Sequence, residues 1–214
     1  TDERGLLAVG GNLGPETLIS AYRSGIFPWY SEEQPVLWWC PDPRMILYPR
    51  HFKVSHSLRQ TLRKPGFRFT MDTVFGEVIK WCSQVKRKDQ EGTWITQEMI
   101  DAYIRLHELG YAHSVETWYR GKLAGGLYGV AIGKIFFGES MFHLVSDASK
   151  VALYHLVRFL EQNDFELIDV QQSTAHLQNL GAVEIPRKIF LEKIRKACAK
   201  KGIPGSWKHF GGKQ

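Results

Sequence analysis

The chain has 214 residues, 43% hydrophobic and 23% charged, which is long enough to bury a sizeable core in one large domain or in a small and a larger one. No apolar run approaches the ~20 residues of a membrane span, and Cys40, Cys82 and Cys198 are widely spaced with no C-x-x-C pair. That spacing excludes a disulfide framework and a zinc site and suits a reducing, cytoplasmic setting; no signal-like segment marks the start. The net charge of +6 makes a polyanionic partner plausible, with cations gathered at residues 53–68, at Lys86-Arg87-Lys88 and at 187–201.

Residues 5–14 are rich in glycine but hold no G-x-G-x-x-G after a strand, so they read as turns leading to a helix with Pro15 in its first turn and Gly25 past its end. Residues 28–43 crowd tryptophans, a tyrosine and prolines, which predicts rigid aromatic loops with a small packed core under Trp38 or Trp39. A strand is expected at 45–48. A helix capped by Ser55 follows, with Leu58 and Leu62 inward and His56, Arg59, Arg63 and Lys64 on its other face, until Pro65-Gly66 stops it. Such a face is either solvated or a phosphate-contacting surface. Next come a strand at 67–71, a helix capped by Asp72, a polar loop at 85–91 and a helix from Thr96 to before Gly110.

Three strands at 112–119, 123–132 and 135–142 alternate with the tight turns Arg120-Gly121-Lys122 and Gly133-Lys134, an antiparallel meander. A long helix capped by Asp147, a strand at 165–171, a helix at 173–180 and a last helix near 187–200 complete the order, ahead of a glycine- and lysine-rich tail at 202–214. Helices covering such a sheet give an α+β fold.

Two apolar runs contain polar groups that need a reason. Ile135-Phe136-Phe137-Gly138-Glu139-Ser140-Met141-Phe142 is interrupted by one carboxylate, and Leu167-Ile168-Asp169-Val170-Gln171 by a carboxylate and an amide. A buried carboxylate is costly unless hydrogen-bonded or paired, and functional sites concentrate such groups. The bland alternative places Glu139 at a strand end, in water. If the two strands adjoin, Glu139, Asp169 and Gln171 converge on one apolar cleft. There is no Gly-x-Ser-x-Gly elbow, no P-loop and no His-Glu-x-x-His, which removes the serine-hydrolase, NTPase and zinc-hydrolase readings. Meander, helix and further strand match an acetyltransferase-like (GNAT-like) domain in outline. The helix start reads Leu144-Val145-Ser146-Asp147-Ala148-Ser149, without glycine, and an acidic cap there would use the free amides and repel a pyrophosphate, so coenzyme A is not expected.

Several motifs occur together and in order: Gly25-Ile26-Phe27-Pro28-Trp29, Trp38-Trp39-Cys40-Pro41-Asp42-Pro43-Arg44, Gly92-Thr93-Trp94-Ile95-Thr96, Gly125-Gly126-Leu127-Tyr128-Gly129-Val130, Phe137-Gly138-Glu139-Ser140-Met141-Phe142, Ile168-Asp169-Val170-Gln171, and His176-Leu177 through Leu180-Gly181-Ala182 to Glu184-Ile185-Pro186-Arg187. Each is weak alone; as an ordered set from about residue 5 to 187 they resemble the bacterial leucyl/phenylalanyl-tRNA–protein transferase family. The resemblance implies a small N-terminal domain (1–42) before an acetyltransferase-like domain (43–214) with a mainly antiparallel sheet. It implies an enzyme of the N-degron pathway that moves leucine or phenylalanine from charged tRNA to the N-terminal Arg or Lys of a protein, marking it for degradation, without metal or coenzyme A. By position, Trp29 and Trp94 correspond to the aromatic pair that holds the terminal adenosine, and Leu127, Met141, Leu153, Leu156 and Ile168 to the lining of the amino-acid pocket. Asp169 and Gln171 correspond to the catalytic pair; Gln171, whose amide has negligible basicity, would orient the nucleophile while Asp169 holds it. Glu139 and Asp169 would give the cleft the negative potential that attracts a cationic acceptor, while His56, Arg59, Arg63 and Lys64 meet the tRNA backbone. The expected state is a cytoplasmic monomer. The competing reading is a non-catalytic RNA-binding module, in which the buried carboxylates only end hydrogen-bond networks.

Overall fold

A computed structural model describes residues 5–85 and 94–212. The polar loop expected at 85–91 falls, but for Val85, outside the described residues, as do Gly92 and Thr93. In chain order the elements are β1 (Leu6–Val9), α1 (Pro15–Arg23), β2 (Phe27–Pro28), β3 (Leu37–Trp39), β4 (Arg44–Leu47), α2 (His56–Arg63), β5 (Phe67–Met71), α3 (Phe75–Gln84), α4 (Gln97–Glu108), β6 (Ala112–Tyr119), β7 (Lys122–Ile132), β8 (Ile135–His143), α5 (Ala148–Gln162), β9 (Leu167–Gln171), α6 (Ala175–Asn179), β10 (Val183–Ile185) and α7 (Arg187–Cys198). The fold is α+β. The meander β6–β7–β8, the crossover helix α5 and the returning strand β9 are the arrangement expected of an acetyltransferase-like domain.

Two sheets form. The larger runs β10-β4-β9-β8-β7-β6-β5, with every neighbour antiparallel except the β8–β9 pair. The smaller runs β1-β3-β2. Its strands were not anticipated, because proline and glycine in these segments argue against regular structure; they are tolerated here because the strands are very short and Pro28 lies on an edge. Strand β10, three residues long, is the other element that the residue pattern did not disclose.

The large sheet is packed on both faces. One face carries Tyr128, Val130, Ile135, Phe137 and Phe142 against α1, α3, α4 and α7; the other carries Leu127, Val115, Phe136 and Ile168 against α5. Leu18, Tyr22, Phe27, Tyr30 and Trp38 join the first of these cores, so the N-terminal aromatic segment has no core of its own. In α2 the inward residues are Leu58 and Thr61, with Leu62 only half-buried.

Two of the acidic residues expected as helix caps do something else. Asp72 does not cap α3, whose N-cap is Val74. It sits at φ 51° with its carboxylate turned inward, accepting from the Ser114 amide at 2.9 Å, the Trp207 amide at 2.7 Å and His113 Nδ1 at 2.9 Å. Asp147 holds the N-cap position of α5, but in a left-handed conformation (φ 66°) and without a side-chain capping bond. Its carboxylate takes Lys150 Nζ at 2.7 Å and the Thr61 hydroxyl at 3.2 Å instead, which ties α2 to the start of α5.

The tail is not an appendage. Trp207 is fully buried: its ring stacks on His113 at 3.7 Å and 3° and packs against Phe159 and Phe165. A lone tryptophan among glycines and lysines was the signal, and residue composition hid it. Trp207→Ala should therefore cost about 3–5 kcal/mol of stability, the range for truncating a large core aromatic, and Trp207→Phe clearly less, as read by urea unfolding. A solvated tail would leave both variants like the parent.

Candidate active site

The site forms where β8 and β9 stop pairing. Their parallel ladder covers Ile135↔Leu167, Phe136↔Ile168 and Phe137↔Asp169 and then ends. At the same level the β7–β8 register shifts between Tyr128 and Gly129. Gly129 has no alternative there, because a Cβ would lie 2.2 Å from the Phe137 carbonyl oxygen. Beyond this point residues 138–141 and 170–171 line two adjoining cavities, and Gln171 reaches across to Glu139.

The first cavity has a volume of about 300 Å³ and is apolar within, with Leu127, Met141, Leu153, Leu156 and Ile168 in its wall, joined by Leu47 and Phe136. All five residues expected of an amino-acid pocket thus line one cavity. The second, about 160 Å³, lies between β2 and the end of β9 and is lined by Phe27, Trp29, Trp94, Glu139, Gln171 and Gln172. Glu139, Val170, Thr174 and Leu177 line both. The tryptophans expected as a pair both line this cavity. Trp29 is half-buried, braced edge-on by Trp39 at 5.8 Å, whose indole N–H donates to the Trp29 carbonyl at 2.7 Å.

The three polar groups of the two interrupted strands meet, but in unequal roles. Glu139 accepts from the Tyr22 hydroxyl (Oε1, 2.7 Å), the Tyr103 hydroxyl (Oε2, 3.1 Å) and the Gln171 amide nitrogen (Oε1, 3.0 Å), while Tyr22 and Tyr103 also touch through their hydroxyls. Burial drives the Glu139 pKa up to about 7, with the Asp169 charge adding to it and the tyrosine and glutamine donors opposing it.

Asp169 differs from the expectation. It is fully buried, lines neither cavity, and is neutralised by a two-pronged pair with Arg44: Nε to Oδ1 at 2.8 Å and Nη2 to Oδ2 at 2.6 Å. Its charge meets the guanidinium inside the protein, and what reaches the cleft is the Coulombic push that helps to raise Glu139. What Asp169 does hold is the Gln171 backbone: Oδ1 accepts the Gln171 amide at 3.0 Å, a side-chain-closed turn that fixes Gln171 at φ 64° and aims its side chain at Glu139.

His56, Arg59 and Arg63 are exposed on α2, and Lys64 is exposed just past its end. They line neither cavity, but the Thr61–Asp147 bond anchors their helix at the start of α5, whose Leu153 and Leu156 wall the first one. Residue patterns missed Arg44, Tyr22 and Tyr103. Arg44 stood inside a quoted motif, yet nothing local says that it pairs with a carboxylate 125 positions away; Tyr22 and Tyr103 sit at helical core spacing and look like packing. Among the described residues no group of three or more His, Cys, Asp or Glu is arranged to hold a metal, and no helix is long and apolar enough to cross a membrane.

Comparison with known proteins identifies the family. Residues 46–195 match the family model described as leucyl/phenylalanyl-tRNA protein transferase, and residues 11–42 match the model of that protein's N-terminal domain. The leucyl/phenylalanyl-tRNA–protein transferase of Syntrophobacter fumaroxidans is 58% identical over 87% of this chain and 80% of its own length. That of Nitrosomonas europaea is 55% identical over 96% and 87%. Among solved structures, L-PGS from Bacillus licheniformis aligns over 88% of this chain and 71% of its own at 9% identity and a TM-score of 0.46, too distant to bear on function. With matched segments reaching across both sheets and the cleft between them, the chain belongs to the leucyl/phenylalanyl-tRNA–protein transferase family.

Proposed function

We propose that the protein transfers leucine or phenylalanine from aminoacyl-tRNA to the α-amine of acceptor proteins that begin with Arg or Lys, marking them for degradation, and that it acts in the cytoplasm, where charged tRNA is made, as a monomer. The observation that carries this reading is the junction of the two cavities. An apolar chamber of side-chain size and a chamber walled by two tryptophans meet at Glu139, with Gln171 beside it. An aminoacyl-adenosine has that shape: an apolar side chain, an ester, and an unpaired base.

The energetics fit. Burying a Leu or Phe side chain is worth roughly 1.5–3 kcal/mol, and stacking a base on an indole about 1–3 kcal/mol. Methionine at 141 helps the chamber follow either a branched or a flat side chain. The ester is already activated, so the protein has to hold it, exclude competing water and present the amine to the carbonyl carbon. Gln171, fixed by Asp169 and turned toward Glu139, would orient that amine. Exposed cations on α2 would take the tRNA phosphates, at the end of α5 that leads into the chamber.

Incubation with Leu-tRNA or Phe-tRNA and an Arg-peptide tests the reading directly; acylated peptide is expected, and a binding module would yield none. Trp29→Ala and Trp94→Ala should each raise KM for charged tRNA with the fold intact by circular dichroism, and unfolding of either would return that tryptophan to the core. Replacing Arg59, Arg63 and Lys64 with Ala should flatten the dependence of log K on log salt by roughly 0.7–0.9 per lost phosphate contact; an unchanged slope makes α2 a solvated face. Gln171→Ala should lower kcat with little loss of tRNA affinity. Asp169→Asn behaves differently: it strands the buried Arg44 guanidinium and should cost about 3–5 kcal/mol in unfolding measurements, a loss that Gln171→Ala does not share.

A further inference from the structure

The transfer needs a proton acceptor, and the groups that flank the junction narrow the choice. Gln171 has no basic atom, and the Asp169 oxygens are taken by Arg44 and by the Gln171 amide. His176 lies on the rim of the apolar chamber, away from the tryptophan side, and lines only the first cavity. Glu139 lines both.

The hydrogen count around Glu139 adds an independent argument. Glu139, Tyr22 and Tyr103 make three mutual oxygen contacts: Tyr22 to Oε1, Tyr103 to Oε2, and hydroxyl to hydroxyl. With the carboxylate ionised, two phenolic hydrogens must serve three contacts, so one contact has no proton. One proton more closes the ring: carboxyl to Tyr103, Tyr103 to Tyr22, Tyr22 back to the carboxyl. The contacts are thus complete when the cluster holds that proton, so it offers a ready place for one, and a site that faces substrate can load it.

We propose that the Tyr22–Tyr103–Glu139 cluster removes the proton from the acceptor's α-ammonium; this rests on the transferase reading above. The ammonium gives one proton to the Glu139 carboxylate. The freed electron pair forms the C–N bond to the ester carbonyl carbon, and the C–O bond to the ribose breaks with its electrons going to the ribose oxygen. That oxygen takes a second proton from the nitrogen, the third stays on the new amide, and Glu139 returns its proton to solvent. Tyr22 and Tyr103 are positioning residues, since they act through the carboxylate. The charged and titratable groups around the cluster are Tyr22 of α1, Tyr103 of α4, Tyr128 of β7 and Asp169 of β9 with its partner Arg44 of β4. The ionisation of Glu139, raised by burial to about 7, falls where an α-amine and a carboxylate can exchange a proton readily.

The test uses the full chain with saturating Leu-tRNA and an Arg-peptide, following single-turnover transfer from about pH 5.5 to about 9, beside an infrared titration of the carboxylic C=O band in the free enzyme. The parent kcat should rise through an inflection near the infrared midpoint, itself at about 7. Glu139→Gln should abolish the band, lower kcat near neutrality by roughly 10²–10⁴ and recover rate only as the peptide amine loses its own proton at higher pH. Tyr22→Phe and Tyr103→Phe each remove a donor that favours the ionised form, so the inflection and the infrared midpoint should move up together by about one pH unit. These two variants carry the test if Glu139→Gln does not fold. A Glu139→Gln enzyme with parental kcat and only a higher peptide KM overturns the proposal in favour of a cation site, and an infrared midpoint near the ordinary carboxylate value overturns it outright. Failure of the parent to acylate peptide at any pH is a different result: it removes the transferase reading itself, while the infrared titration still reports on the cluster.

Discussion

The Arg44–Asp169 pair is the constraint on which the site depends. Two charges are out of water, joined by two short bonds between adjacent strands of the large sheet. Desolvation makes such a pair a poor source of stability but a strict one, because losing either member leaves the other charged and alone. Its neighbours show what it organises. The guanidinium lies over the rings of Phe27 and Phe190, at 4.7 and 4.6 Å, so the N-terminal segment and α7 close on it from two sides. The carboxylate takes the Gln171 amide and sets the left-handed turn that ends β9. One ion pair thus links β4, the edge of the small sheet, the last helix and the polar end of the cleft.

The same low-polarity interior gives the two carboxylates opposite fates. Asp169 has a cation at hydrogen-bond distance and is spent on structure. Glu139 has only neutral donors, two phenols and an amide, and a like charge nearby; burial then prevails and its proton is held up to about neutral pH. A carboxylate whose charge is negotiable at neutrality suits chemistry on an amine, whereas a locked ion pair suits a hinge of the fold.

How much of this was legible in the sequence follows from how local each feature is. The meander was plain, since Arg120-Gly121-Lys122 and Gly133-Lys134 mark its turns, and the residues that line the apolar chamber on β7, β8, α5 and β9 were reached through the family resemblance, by position. The polar residues inside apolar strands were rightly suspected, because a carboxylate there needs a partner. What was hidden is the identity of the partners. Arg44 and Asp169 are 125 positions apart, and Tyr22 and Glu139 117, and no periodicity encodes a meeting at such range. Asp72 and Asp147 were misread for the opposite reason: an acidic residue before a helix is usually a local cap, but here other donors take the carboxylates, distant ones for Asp72 and both Thr61 and the nearby Lys150 for Asp147. Trp207 was overlooked because it stands among glycines and lysines with no periodicity to mark it, while its indole is buried in the core.

The small N-terminal sheet has to be considered in the same terms. Its residues supply Phe27 and Trp29 to the second chamber, α1 beside it supplies Tyr22 to the Glu139 cluster, and their apolar side chains are continuous with the main core. A unit with so little core of its own gains its order by docking on the large sheet, which brings Trp29 into the same cavity lining as Trp94 and Tyr22 into hydroxyl contact with Tyr103. The cleft is therefore an interface as much as a pocket: β7, β8, β9 and α5 contribute to the first cavity, and the N-terminal segment helps to close the second through Phe27, Pro28 and Trp29. Loosening the contact under Phe27 would displace an aromatic wall and a proton-holding hydroxyl together, so substrate placement and proton transfer are mechanically one property of this fold.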